Sequence, residues 1–165
     1  MIKIGAENSL YVAYGSNLNL EQMEYRCPYA KPLGPAELCG YQLLFRGSNG
    51  GAVATVEPCD GFVVPVLVWE ITPRCEEALD HYEGFPFLYR KEAVDVCFRG
   101  NSLKAMVYIM NDGRPLGLPS KRYLNSILEG YTTAGFDFLI LDSAVRASQP
   151  ILRVGSKRIA DSEES

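Results

Sequence analysis

Residues 11–17 read YVAYGSN, an apolar and aromatic run broken off by Gly15, Ser16 and Asn17. A strand that ends this way admits two readings. One is a plain strand-to-helix turn, which favours the same residue types. The other is an anion cradle. Gly15 tolerates positive φ, so successive N–H groups can face one side, with the Ser16 hydroxyl and Asn17 amide beside them. A helix follows almost at once, and its start favours negative charge. Taken alone, YGSN reads as the turn.

Outward from this point the chain alternates strand-like and helical stretches. NLEQMEYRC (19–27) reads as a helix, with Asn19 as its cap and Gln22 three residues on, as in a capping box; Pro28 stops it. ELCGYQLLFRG (37–47) and GAVATVEP (51–58) read as strands joined by the turn SNGG. FVVPVLVWEIT (62–72) reads as another, and Pro65 puts that end at an edge or a bulge. In 72–84, Thr72 caps a short helix, Pro73 suits its first turn and Gly84 its end. Cys75, Leu79 and Tyr82 share one face of it. Residues 89–98 and 102–110 pair across RGN as a hairpin. Residues 119–135 form the clearest helix, with Tyr123, Ile127 and Tyr131 in register beside Leu124 and Leu128; a further helix fits 137–147. About six strands and three or four helices, without βαβ alternation, indicate an α+β fold with a largely antiparallel sheet or barrel. One domain over 1–146 suits a chain of 165 residues, and 147–165 reads as a partly flexible extension whose polar end, GSKRIADSEES, is expected to fray.

Composition narrows the function classes. With 16 basic against 20 acidic side chains, the basic surface that nucleic acid requires is not expected. No apolar run is long enough for a membrane span, and MIKIGAENSL does not read as a signal peptide. Cys27, Cys39, Cys59, Cys75 and Cys97 show no C-x-x-C spacing, and His81 is the single histidine, which disfavours zinc. The cysteines read as reduced, mostly packed thiols of a cytoplasmic protein.

The candidate chemistry lies in LDHYEGFP (79–86). Glu83 ends a helix, where the partial negative charge disfavours an anion. Tyr82, Phe85, Pro86 and Phe87 surround it with apolar surface, which raises a carboxyl pKa as well. An acid raised in this way suits proton transfer near neutrality; the bland alternative is an exposed Glu. A Ser16–His81–Asp triad is a weaker reading. Ser16 lacks the G-x-S-x-G elbow, and His81 and Glu83 point about 200° apart at ~3.6 residues per turn. GSNGG (47–51) lacks the G-K-[ST] of a phosphate loop and reads as a turn.

YVAYGSNLN, LCGYQLLFRG, GGAVATVEP, VPVLVWEIT, LDHYEGFPFLYRK and VYIM occur in this order, and together they resemble the gamma-glutamylcyclotransferase-like family. The similarity runs from about Tyr11 to about Phe136. The resemblance implies a small mixed, largely antiparallel β-barrel with flanking helices and a cavity at one end. It implies Glu83 as the catalytic acid–base. Tyr11, Val12, Ala13, Tyr14, Gly15, Ser16 and Asn17 would form the loop that holds the substrate carboxylate, with Tyr89 and Tyr123 lining the pocket. It further implies a small γ-glutamyl substrate cleaved without a cofactor. The glutamyl α-amine would attack its own γ-amide, giving 5-oxoproline and a free amine or amino acid. A non-catalytic metabolite-binding or regulatory domain is the alternative on the same fold. Oligomeric state is not legible.

Overall fold

The computed structural model describes residues 2–150. Ser9–Ala13 (β1) leads through a one-turn 3-10 segment, Ser16–Leu18, into Leu20–Arg26 (α1). Lys31–Arg46 (β2) and Val53–Ile71 (β3) follow, then Pro73–Glu83 (α2), Tyr89–Phe98 (β4) and Asn101–Met110 (β5). Lys121–Ala134 (α3) and Phe138–Ala147 (α4) complete the described chain. The strands close into a barrel in the order β1-β3-β2-β4-β5. Every pairing is antiparallel except the short parallel contact of β1 with β5, at Tyr11 and Met106, so the barrel is mixed as expected.

There are five strands rather than six, because residues 53–58 and 62–71 belong to one strand. β2 and β3 keep their ladder through a register shift between Cys39 and Tyr41, where residues 59–62 of β3 bulge opposite Gly40. Gly40 and Gly61 both take positive φ there, so the chain bends without leaving the sheet. Pro65 pairs with Glu37 beyond the last β1–β3 pair, Ala13 with Leu67. Its missing N–H therefore falls where β3 has no β1 neighbour. The start of β2 at Lys31 takes in Pro32 and Pro35 through a second register shift.

The caps expected at Asn19 and Thr72 form, with one correction, and Ser120 adds a third. Asn19 accepts from the Gln22 N–H, Thr72 from Cys75 and Ser120 from Tyr123. Gln22 does not close a capping box. Its amide reaches Ser126 Oγ and Arg26, while the Asn19 N–H bonds Ser16 O. Val12, Leu38, Phe45, Val64, Val68, Ile71 and Val107 fill the barrel, and Ile127 and Tyr131 carry α3 onto it. Leu128 faces outward, more than a third exposed. Of the cysteines only Cys27 and Cys75 are buried; Cys39 and Cys97 lie exposed on outward strand faces, so fewer thiols are packed than expected.

Within the stretch expected as an extension, Ser148 is buried, and its Oγ accepts from Phe45 N at 2.8 Å. The expected frayed tail lies outside the described residues. Among these, no helix is long and apolar enough to cross a membrane, and no cluster of His, Cys, Asp and Glu has the makings of a metal site.

Candidate active site

The end of β1, the turn after it, the start of β3, the end of α2 and the start of α3 enclose a cavity of about 220 Å³. Six tyrosines line it: Tyr11, Tyr14, Tyr82, Tyr89, Tyr108 and Tyr123. Gly15, Ser16 and Asn17 form one wall, and Val53, Ala54 and Leu88 add apolar surface. Glu83 is the only formally charged side chain of the lining.

Glu83 reaches the cavity because α2 ends on it. Gly84 follows in the left-handed conformation, with φ 69°, and its N–H bonds the Asp80 and His81 carbonyls. Burial pushes the Glu83 carboxyl up to about 7, while the Arg26 guanidinium pulls the other way; no protein hydrogen bond contributes. This is the direction that the helix end and the aromatic surroundings imply.

The turn at 15–17 is built differently from a positive-φ nest. Gly15 sits at φ −125°, ψ −126°. A side chain there is crowded by close approach instead: a Cβ would lie 3.2 Å from the Ala54 Cβ and 3.5 Å from the Tyr123 hydroxyl. The Leu18 and Asn19 N–H groups close the 3-10 turn onto Gly15 O and Ser16 O. Those of Gly15, Ser16 and Asn17 take no protein acceptor among the described residues. The Asn17 side chain is already occupied. Its Nδ2 donates to Tyr11 Oη at 2.9 Å, and its Oδ1 accepts from Arg26 at 2.5 Å.

Tyrosine hydroxyls tie the remaining walls together. Tyr14 donates to Tyr108 O at 2.7 Å and Tyr89 to Ala54 O at 2.5 Å, while Tyr123 accepts from the Ala54 N–H at 3.0 Å. Burial raises the pKa of each of these phenols, so they stay protonated at any ordinary pH.

Of the residues expected from the sequence, Glu83, Tyr11, Tyr14, Gly15, Ser16, Asn17, Tyr89 and Tyr123 meet at the cavity. Val12 and Ala13 do not line it; both are buried in the barrel core. His81 is exposed and absent from the lining, and Ser16 Oγ lies 2.8 Å from Tyr82 Oη, so no Ser–His pair forms. Sequence reasoning missed the roles of Tyr82, Tyr108 and Arg26. Tyr82 stands beside Glu83 in YEG, and Tyr108 is the one polar side chain in VYIM, a signal that was available. Arg26 carries no local signal. Its guanidinium carbon sits 3.6 Å above the centre of the Tyr82 ring, a contact between two helices.

The barrel is five-stranded and mixed, with a tyrosine-lined cleft that holds one carboxyl in its wall. The family described as "Gamma-glutamyl cyclotransferase, AIG2-like" matches residues 11–126, and the chain belongs to it. Human gamma-glutamylcyclotransferase is 35% identical over 85 residues, covering 47% of this chain and 45% of that protein. The chain thus spans about half the length of the curated relatives it matches. A solved gamma-glutamyl cyclotransferase superposes with a TM-score of 0.74 at 28% identity, covering 88% of this chain and 90% of that one. YkqA from Bacillus subtilis shares the fold, with a TM-score of 0.72 at 21% identity over 86% of this chain and 54% of that one.

Proposed function

We propose that this protein is a γ-glutamyl cyclotransferase, with Glu83 as the proton shuttle and the 15–17 turn as the carboxylate site. The observation that carries the reading is a partly buried carboxyl with no protein hydrogen bond, lining the same cleft as a turn whose three N–H groups take no protein acceptor among the described residues. The glutamyl α-carboxylate docks on the Gly15, Ser16 and Asn17 N–H groups, leaving the α-amine near Glu83. Ionised Glu83 takes a proton from the ammonium. The freed amine closes onto its own γ-carbonyl, and 5-oxoproline forms as the old C–N bond breaks.

The protons balance. Two leave the attacking nitrogen, two arrive on the departing one, and Glu83 carries them. A carboxyl with a pKa near 7 suits both directions. Ring closure is intramolecular, and effective molarities for such reactions reach ~10⁵ M or more, so holding the substrate folded supplies much of the rate.

The test is a panel of γ-glutamyl amino acids and γ-glutamyl amines assayed for 5-oxoproline. The intact protein should release it from at least one member, and Glu83→Gln should lose at least ~10² in rate while staying folded. Binding without product would indicate a non-catalytic metabolite-binding domain instead. Near-full turnover by Glu83→Gln would remove Glu83 from the chemistry.

A further inference from the structure

The six tyrosines of the cleft do not have equally available protons. Tyr14 donates to the Tyr108 carbonyl, Tyr89 to the Ala54 carbonyl and Tyr108 to Asp80 Oδ1, while Tyr82 is engaged with Ser16. Tyr11 and Tyr123 differ. Each accepts a hydrogen bond, from Asn17 Nδ2 at 2.9 Å and from the Ala54 N–H at 3.0 Å respectively, and neither donates to a protein group among the described residues. A hydroxyl in this state keeps its proton for whatever occupies the cleft.

These two donors serve different places. Tyr123 stands over the turn, where a Cβ on Gly15 would come within 3.5 Å of its hydroxyl. Tyr11 lies at the end of a chain of hydrogen bonds that all run in one sense. Arg26 Nη1 donates to Asn17 Oδ1 at 2.5 Å, and Asn17 Nδ2 donates to Tyr11 Oη. Each bond polarises the next, so the Arg26 charge strengthens Tyr11 as a donor. Tyr11 lines the cavity together with Glu83, and burial keeps its hydroxyl protonated.

We propose that the Tyr11 hydroxyl is the donor that stabilises the oxyanion of the cyclisation, with Asn17 and Arg26 as the positioning residues behind it and Tyr123 reserved for the substrate's α-carboxylate. This rests on the cyclotransferase reading above. As the amine lone pair forms the new C–N bond, the carbonyl π pair moves onto oxygen. Tyr11 hydrogen-bonds that oxygen and keeps its proton. When the pair returns, the old C–N bond breaks and the leaving nitrogen takes its proton from Glu83. A donor placed where charge develops acts in the transition state, so its loss falls on kcat.

The experiment uses the full chain and a γ-glutamyl amide that the unmodified protein turns over. Tyr11→Phe should lower kcat about 10²-fold with KM within about threefold. Tyr123→Phe should mainly raise KM, by roughly tenfold. Arg26→Met should lower kcat on the order of tenfold alone but by less than about twofold in the Tyr11→Phe background, since it acts through Tyr11. Arg26→Lys should recover part of the loss. Unchanged kcat in Tyr11→Phe, an exchange of the two tyrosine phenotypes, or an Arg26→Met effect of equal size in both backgrounds overturns the assignment. If Tyr11→Phe does not fold, the Arg26 pair decides: no kcat loss in Arg26→Met, or none regained by Lys, overturns it. Failure of the unmodified protein to turn over any γ-glutamyl amide overturns the cyclotransferase reading and this assignment together.

Discussion

Tyr108 and Asp80 are joined hydroxyl to carboxylate at 2.6 Å, and Asp80 stands three residues before Glu83 on α2. Lys91 of β4 completes the clamp, 3.0 Å from Asp80 and 2.7 Å from Glu76, with its ammonium over the Phe85 ring. The last turn of α2 is therefore pinned to two strands. Its position relative to the cleft is fixed by β4 and β5 rather than by the helix alone.

Asp80→Ala leaves the buried Tyr108 hydroxyl without its acceptor and Lys91 with one carboxylate. The expected loss is about 1–3 kcal/mol, read as a lower denaturant midpoint. Turnover should fall as well, because Glu83 rides on the released turn. Asp80→Asn keeps an acceptor for Tyr108 and should lose less. Equal stability of Asp80→Ala and the parent protein would mean that the clamp holds nothing.

Glu83 has the opposite bearing on stability. Its folded pKa of about 7 exceeds the ordinary 4.5, so the folded state holds this proton more tightly than the unfolded state does. Its relative stability is greatest below about pH 4.5, declines as pH rises toward 7 and levels off above that. At about 1.4 kcal/mol per pH unit the decline amounts to roughly 3 kcal/mol. Glu83→Gln removes it. The variant should melt at a higher temperature than the parent at pH 8 and at nearly the same temperature at pH 4, while being inactive at both. In the parent, the acid limb of kcat/KM should fall near pH 7. A variant no more stable at pH 8 would show that the carboxyl is not buried as described.

The cradle is tested at Gly15. A Val side chain there meets Ala54 on one side and the Tyr123 hydroxyl on the other. The turn and the start of β3 must part, which displaces the Gly15, Ser16 and Asn17 N–H groups. Binding of 5-oxoproline should weaken by at least about tenfold in a calorimetric titration. Unchanged affinity would place the carboxylate elsewhere.

Legibility in the sequence followed the range of the interaction. The caps at Asn19 and Thr72 and the stop at Gly84 are local devices, and each stands where its residue types put it. The Tyr89–Met110 hairpin was equally readable, being a short loop between alternating strands. Residues 51–58 and 62–72 read as two strands, whereas pairing to β2 on both sides of the bulge holds them in one. At the site, Glu83 and the 15–17 turn carry their own chemical signals. The reason for Gly15 was misjudged because it lies in Ala54 and Tyr123, tens of residues away. Arg26 was illegible for the same reason: Gln22 and Asn17 are near it in the chain, but the Tyr82 ring that it covers reaches it only when α1 packs on α2.

Among the described glycines, Gly130 leaves the least room for a side chain. Gly130 of α3 is buried against Leu18, at the end of the 3-10 turn, and a Cβ there would lie 2.6 Å from the Leu18 Cβ, 2.8 Å from its carbonyl carbon and 2.9 Å from its oxygen. The obstacle is largely backbone, so neither side yields by a rotamer change. Gly130→Ala raises intrinsic helix propensity by about 1 kcal/mol, and at an exposed site it would stabilise α3. Here overpacking should outweigh that gain, typically by 1–3 kcal/mol, as α3 is pushed off the turn. Because α3 carries Tyr123 and the turn carries the three N–H groups, the same displacement should weaken 5-oxoproline binding even though residue 130 is remote from the cavity lining. A variant of unchanged or greater stability with unchanged affinity would show that α3 does not hold the turn in place.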